Sequence, residues 1–439
     1  MTNQISLSLM IINVLLILLV LVCCQQQPTP SPAPPAPAPT PAPEPTLLPT
    51  PEPSPTPKED ETEGSLPDPL ITENSVELCL NSRYSDHSLS GTASDQQLAN
   101  VLWAAGRVPI TGGYRNIYVS TGNATYLYDP SNHSLSLQSG DITDEGAFVI
   151  NWESELLFDA GLIYMPALLA SVSLRESTES DVSSCPKLTS IYFGVQEVGD
   201  LTSELVAHSS VPEGEPGWLP DPATTGDNRL EEVLANLKYV DNFAPTNLTL
   251  QQISQILWAG YGCTPHEGSF DRMGLTVPSA RAAYYLTGKI YFVNENGVYR
   301  YHNRTTPGTD LTTRDHRIKE IESDDVRDSL LSAVRGLPQA PFYVILCLES
   351  SDIGDEVYAE LEVGFVASNM LIQASAIDLG CYFKTKLTSD EQGDIQNATS
   401  IPSSHLPQAI VSIGPLPPKV TVTLVSPNSA YRDRHLMLP

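Results

Sequence analysis

One stretch of this chain occurs twice, and that constrains the fold more than any other feature. Asp95-Gln-Gln-Leu-Ala-Asn-Val-Leu-Trp-Ala-Ala-Gly106 is echoed by Leu250-Gln-Gln-Ile-Ser-Gln-Ile-Leu-Trp-Ala-Gly-Tyr261. Each copy follows a capping-box pattern, Ser94 with Gln97 and Thr249 with Gln252, in which side chain and backbone satisfy each other's polar groups. Leu98, Val101 and Leu102, like Ile253, Ile256 and Leu257, recur at helical spacing, so each copy predicts an amphipathic helix with a tryptophan near its end. Downstream, Ile117-Tyr-Val119 to Tyr126-Leu-Tyr128 matches Ile290-Tyr-Phe292 to Tyr299-Arg-Tyr301. These read as β-hairpins with tight turns at Gly122-Asn123 and Asn296-Gly297. A third pair, Leu157-Phe-Asp-Ala-Gly161 and Leu361-Glu-Val-Gly364, opens two long apolar helices. A period this long indicates duplicated domains, not a solenoid.

The chain accordingly divides into two copies of one α+β unit, residues 75–210 and 229–417. The connection from Val211 to Asn228, rich in Pro, Gly and Asp, reads as a linker. Two similar copies in one chain pack as a pseudo-symmetric dimer, each expected as a mixed sheet flanked by helices.

Ahead of the first copy lie segments that cannot join such a core. Ile5 to Cys24 is almost wholly apolar and matches the thickness of a bilayer at helical rise. Two readings stay open for residues 1–27. One is an uncleaved membrane anchor, and the other a signal peptide cut before Cys23 or Cys24 with lipidation of the new terminal cysteine. The proline-dense run from Pro28 to Pro57, within a linker taken to residue 74, favours a polyproline II spacer; at about 3.1 Å per residue it spans roughly 90 Å. The working part is therefore expected at the cell surface, outside the cytoplasm. Sequons at Asn123, Asn132, Asn247, Asn303 and Asn397 fit export and mark candidate glycosylation sites.

The 52 acidic residues against 23 basic ones give a net charge of −29, which repels nucleic acid. Five cysteines follow the stalk (Cys79, Cys185, Cys263, Cys347, Cys381), none at metal-ligand spacing, and their odd number leaves at least one thiol unpaired within the chain. The scattered histidines His133, His208, His266, His302, His316 and His405 read as surface residues, and Asp324-Asp325 as an acidic helix start. Residues 418–439 form a C-terminal extension in which Val420 to Val425 alternates like a strand.

The order of these motifs resembles the nitroreductase superfamily, particularly its SagB-type thiazoline/oxazoline dehydrogenase branch. The motifs are the Leu257-Trp258-Ala259 helix end, Pro278-Ser279-Ala280, the hairpin, the long helix near Gly364 with Asn369, and a last strand closing on Ile413-Gly414-Pro415. The resemblance spans most of 75–417 and implies FMN bound where two units meet. In the family, an arginine-rich stretch of one unit holds the phosphate, and the Pro-Ser-Ala loop of the other covers the ring.

The two copies depart from that pattern differently. The first keeps Arg83 and Ser85, with His87 where an arginine would stand, but lacks the loop, since Trp103 to Ile117 spans 14 positions and Trp258 to Ile290 spans 32. The second keeps the loop, but its phosphate stretch reads Leu237-Lys238-Tyr239-Val240-Asp241. The resemblance thus implies at most one FMN site, from Arg83, Ser85 and His87 with Pro278, Ser279 and Ala280, and Lys419 as a further basic candidate. The expected function is a two-electron oxidoreductase passing electrons to a small-molecule acceptor. The alternative is a non-catalytic surface module that binds or assembles with another surface protein, its cleft filled by Tyr84, Tyr239 or Tyr284.

Overall fold

A computed structural model describes residues 64–83, 93–112, 115–121, 124–139, 148–154, 156–174, 183–185, 188–193, 200–206, 217–268, 272–279, 283–303, 315–353 and 357–418. The chain divides into two compact units, residues 1–58 and 59–439. Every described residue belongs to the second, and the apolar segment, the proline run and the strand at 420–425 lie outside the described residues. No helix among the described residues is long and apolar enough to cross a membrane.

The elements of the first half are β1 (Gly64–Ser65), α1 (Val76–Ser82), α2 (Asp95–Ala105), β2 (Arg115–Thr121), β3 (Thr125–Asp129), β4 (Ser134–Ser139), β5 (Phe148–Ser154), α3 (Leu157–Ser173), β6 (Ser183–Cys185) and β7 (Leu188–Phe193). Those of the second are β8 (Gly217–Trp218), α4 (Leu230–Ala235), α5 (Leu250–Tyr261), β9 (Cys263–Gly268), β10 (Arg272–Leu275), β11 (Ile290–Asn294), β12 (Gly297–His302), β13 (Arg317–Glu322), α6 (Arg327–Ala333), β14 (Phe342–Glu349), α7 (Val357–Ala376), β15 (Leu379–Lys384), α8 (Ser389–Thr399) and β16 (His405–Pro415). One seven-stranded sheet runs β1-β4-β3-β2-β5-β7-β6 and the other β8-β13-β12-β11-β14-β16-β15. The two orders correspond strand for strand. The expected mixed sheets are in fact antiparallel in every described strand pair. The only parallel pairing among the described residues is the isolated bridge of Tyr239 to Cys381.

Both capping boxes form, at Ser94–Gln97 and Thr249–Gln252. The second hairpin turns one residue earlier than expected: Asn294 pairs with Gly297, leaving Glu295 and Asn296 as the loop. Gly297 then opens β12 at a φ of +128°, which explains why glycine follows the turn.

The unit boundaries need correction. Gly64–Ser65 pairs with β4 and Gly217–Trp218 with β13, so residues assigned to linkers are sheet edges. The cause is a second repeat, Leu66-Pro-Asp-Pro69 and Leu219-Pro-Asp-Pro222, which docks the same way in both halves. Leu66 N donates to the His133 carbonyl and Leu219 N to that of His316. Gln96 donates to the Asp68 carbonyl at 3.0 Å, and Gln251 to that of Asp221 at 2.9 Å. His133 and His316 are thereby buried, against the surface reading. A carbonyl can only accept, so His133 gives its Nε2 proton to Pro67 O, and its Nδ1 accepts from Tyr128. Burial pushes the His133 pKa down, in keeping with a neutral ring.

At the centre, α3 and α7 cross. α3 is buried on all sides, as expected of a helix that is apolar all round. A Cβ on Gly161 would collide with the Leu361 carbonyl and come within 2.8 Å of the Gly364 Cα; one on Gly364 would collide with the Phe158 carbonyl. Pro166, inside α3, has no N–H to give the Leu162 carbonyl four residues earlier. Ser368 of α7 supplies the missing donor, its Oγ lying 2.9 Å from Leu162 O.

Two stability predictions follow from this crossing. Ser368→Ala leaves the Leu162 carbonyl buried and unpartnered, a cost of about 1–3 kcal/mol. Gly161→Ala overpacks backbone against backbone, where nothing can rotate away, and costs about 3 kcal/mol or more. Urea unfolding checks both; an unchanged midpoint for Ser368→Ala would mean that Leu162 O finds another donor.

Candidate functional site

The longer loop of the second half is organised from beneath by one acid. Glu362, one turn into α7 and fully buried, accepts from Tyr261 OH at 2.5 Å and Ser279 Oγ at 2.6 Å. It also accepts from Leu286 N at 3.1 Å, and Ser279 Oγ in turn accepts from Tyr284 N at 2.6 Å. The carboxylate therefore ties the end of α5 to both ends of the 279–286 loop. Asn369, two turns along α7, donates to the Thr276 carbonyl at 3.0 Å and holds the loop's approach. Burial pushes the Glu362 carboxyl up to about 6, with the Ser279 and Tyr261 hydroxyls pulling the other way.

Onto this frame reaches Arg83, at the C-terminal cap of α1 in the other half. Its Nε donates to Leu275 O at 2.9 Å, at the end of β10 and just ahead of Pro278. The guanidinium is buried and its Nη1 has no hydrogen-bond partner. Burial lowers its pKa to about 10, so it stays charged at neutral pH. A buried cation with no carboxylate bonded to it among the described residues is costly and suits an anion.

Of the six residues expected to hold a cofactor, three are described. Arg83 and buried Pro278 come to the same region, with Ser279 partly exposed above Glu362. Ser85, His87 and Ala280 lie outside the described residues, as do Tyr84, Lys419, Cys23, Cys24 and Asn123. Of the remaining sequons, Asn132, Asn247 and Asn397 are exposed. Asn303 is not: it is buried with its Nδ2 enclosed, so the folded chain has no room for a glycan there. Cys79, Cys263, Cys347 and Cys381 are buried free thiols. Asp325 pairs with Arg327 at 2.7 Å ahead of α6.

The corresponding position on the other side is built differently. Asp159, the counterpart of Glu362 two residues before Gly161, accepts from Thr111 N at 2.7 Å, Thr111 Oγ1 at 2.8 Å and Gly112 N at 2.6 Å. It closes the shorter loop directly. Tyr239 stacks on Tyr382 with centroids 5.5 Å apart and lies 5.3 Å from the Phe383 ring, which also meets Phe158. Lys238, the basic candidate on this side, is bound to Asp378 and to the Ser375 carbonyl. The paired acids carry the site's architecture yet drew no role from the sequence. An acid two residues before glycine in each apolar helix was the available signal.

A nitroreductase family model matches residues 241–415. A Methanocaldococcus jannaschii protein assigned to the nitroreductases is 31% identical over 165 residues, covering 35% of this chain and 76% of its own length. The chain belongs to the nitroreductase family. A solved Anabaena variabilis structure assigned to the same family matches 81% of this chain and 94% of its own, at 11% identity and a TM-score of 0.50. It extends the likeness in fold beyond the matched segment. A Ralstonia eutropha structure matches 49% of this chain and 96% of its own, with 20% identity and a TM-score of 0.38.

The Glu362 environment makes a pH prediction. Its folded pKa is raised from an ordinary 4.5 to about 6, so its stabilising contribution is complete below about 4.5 and is lost as pH rises through 6. Glu362→Gln, which cannot ionise, removes about 2 kcal/mol of that slope. Urea unfolding from pH 4 to 7 measures it, and an unaltered slope would place the titration elsewhere.

Proposed function

We propose that the chain is an FMN-dependent oxidoreductase of the SagB-like kind, working outside the cytoplasm, with at most one flavin between two tandem copies of a nitroreductase-like unit. The carrying observation is Arg83, a buried cation with an unpartnered Nη1 beside the strand that leads into Pro278 and Ser279. The equal strand orders and the matched docking of the two Leu-Pro-Asp-Pro segments support duplication. The exposed Asn132, Asn247 and Asn397 are compatible with an exported chain carrying glycans. The apolar N-terminus, by membrane helix or lipidated Cys23 or Cys24, would tether it to the membrane.

The described residues fit one flavin phosphate. Arg83 would hold it as a bidentate donor, joined by Ser85 and His87. Pro278, Ser279 and Ala280 would bind the ring edge, oriented by Glu362 from below and shielded from water by Pro278. When bound, the flavin would supply two-electron hydride transfer to a small acceptor. The protein's part is positioning and exclusion of solvent. On the other side Tyr239, stacked on Tyr382 and tilted against Phe383, fills the corresponding space. That filling also favours the second reading, a non-catalytic surface module that binds a partner protein.

The test is the visible spectrum of the full chain purified from its host, with released flavin quantified by mass spectrometry. About one FMN per chain is expected, falling at least about tenfold in affinity for Arg83→Ala through loss of a charge-assisted pair. A flavin-free chain that takes up no FMN at millimolar concentration overturns the reading and leaves the surface module.

A further inference from the structure

Glu362 and its counterpart Asp159 each accept three hydrogen bonds, but from donors of different kinds. At Asp159 both carboxylate oxygens hold a backbone N–H, Oδ1 that of Thr111 and Oδ2 that of Gly112. At Glu362 the one backbone donor, Leu286 N, is on Oε1 together with the Tyr261 hydroxyl. Oε2 holds the Ser279 hydroxyl and no other group among the described residues. A backbone N–H can only donate, whereas a hydroxyl has one proton and two lone pairs and turns to suit its neighbours. Of these four oxygens, Glu362 Oε2 is therefore the one that can take up a proton and donate it without disturbing a backbone donor.

While the acid is ionised, the Ser279 hydroxyl is fully directed. Its proton goes to Glu362 Oε2 at 2.6 Å, and one lone pair takes the Tyr284 N–H at 2.6 Å. Only a lone pair is left for a ligand. A proton on Oε2 reverses one bond. Ser279 Oγ then accepts from both Glu362 and Tyr284, and its own proton is released toward the side on which Ser279 is partly exposed. Oε1 keeps Leu286 N and Tyr261, so the loop stays tied down. Burial favours the protonated acid and outweighs the Ser279 and Tyr261 hydroxyls, the Leu286 N–H and the Lys289 ammonium, which favour the ionised one. Lys289, ahead of β11, is itself shared with Asp352 at 3.4 Å and Glu349 at 3.8 Å. The carboxyl lies at about 6, so mild acid populates both forms.

We propose that Glu362 is a positioning residue whose proton sets the polarity of Ser279: the ionised acid leaves Ser279 an acceptor toward the ligand, and the protonated acid makes it a donor. What this does to binding rests on the flavin reading. A flavin ring carries several carbonyl and imine acceptors and a single N–H, so the donor state suits it better, and the chain holds the ring more tightly in mild acid.

Titration of the flavin-depleted full chain with FMN at pH 5 and pH 7.5 tests this, read as the ratio of variant to wild-type affinity so that titration of the phosphate and of His87 cancels. Glu362→Gln donates from its amide to Ser279 and mimics the protonated acid. It binds FMN about fivefold more tightly than wild type at pH 7.5 and equally at pH 5, as one hydrogen bond gained implies. In a Ser279→Ala background the gain disappears. A purely structural acid predicts the reverse, weaker binding by Glu362→Gln at both pH values. That result, or a gain that survives Ser279→Ala, overturns the proposal. A chain that takes up no FMN at either pH defeats the flavin reading, and infrared difference spectra of the same samples then decide the switch. A carboxyl band that appears between pH 7.5 and pH 5 and is absent from Glu362→Gln shifts in Ser279→Ala, because the acid loses the hydroxyl it donates to; an unshifted band overturns the switch. Should Glu362→Gln fail to fold, the wild-type and Ser279→Ala spectra decide alone.

Discussion

The structure depends on two helices brought into backbone contact. α3 and α7 meet where Gly161 faces Gly364, with no room for a side chain on either. At that separation polar backbone groups of one helix come within reach of side chains on the other. Ser368 uses this to satisfy the Leu162 carbonyl that Pro166 leaves open. Neither device works without the other: the proline is tolerated because the partner helix is close, and the helix is close because both positions are glycine.

The acids Asp159 and Glu362 sit two residues before those glycines, so the crossing also fixes where each carboxylate emerges. Both are aimed at the loop that follows the tryptophan-ended helix of their own half. The shared geometry gives different outcomes because the loops differ in length. Asp159 seals a short one with backbone donors, while Glu362 spans a long one through Ser279 and Leu286. The second half thus keeps the longer loop, and Arg83 reaches from the first half to the strand that leads into it.

Much of this was legible in the sequence because the signals were local. Capping boxes, helical spacing after Ser94 and Thr249, and the hairpin signals at Ile117–Tyr128 and Ile290–Tyr301 each report on neighbours close in the chain. The family, too, was legible in the order of its motifs. What escaped involved contacts across elements. Leu-Pro-Asp-Pro looked like linker because prolines interrupt regular structure, and only its docking on a distant histidine makes it a sheet edge. His133 and His316 looked solvent-exposed because nothing nearby in sequence announces Tyr128, Pro67 or Ser254 as partners. Glu362 stood in plain view inside an apolar helix, but its role depends on hydroxyls 83 and 101 residues away.

Both glycines of the crossing belong to one chain. A two-subunit protein built on such a contact comes apart on dilution, since its folded state is tied to protomer concentration. Here the second helix is always present at the effective concentration set by the connecting segment. The interface therefore stays complete however sparse the molecules are, and each side of it is free to carry residues that the other does not.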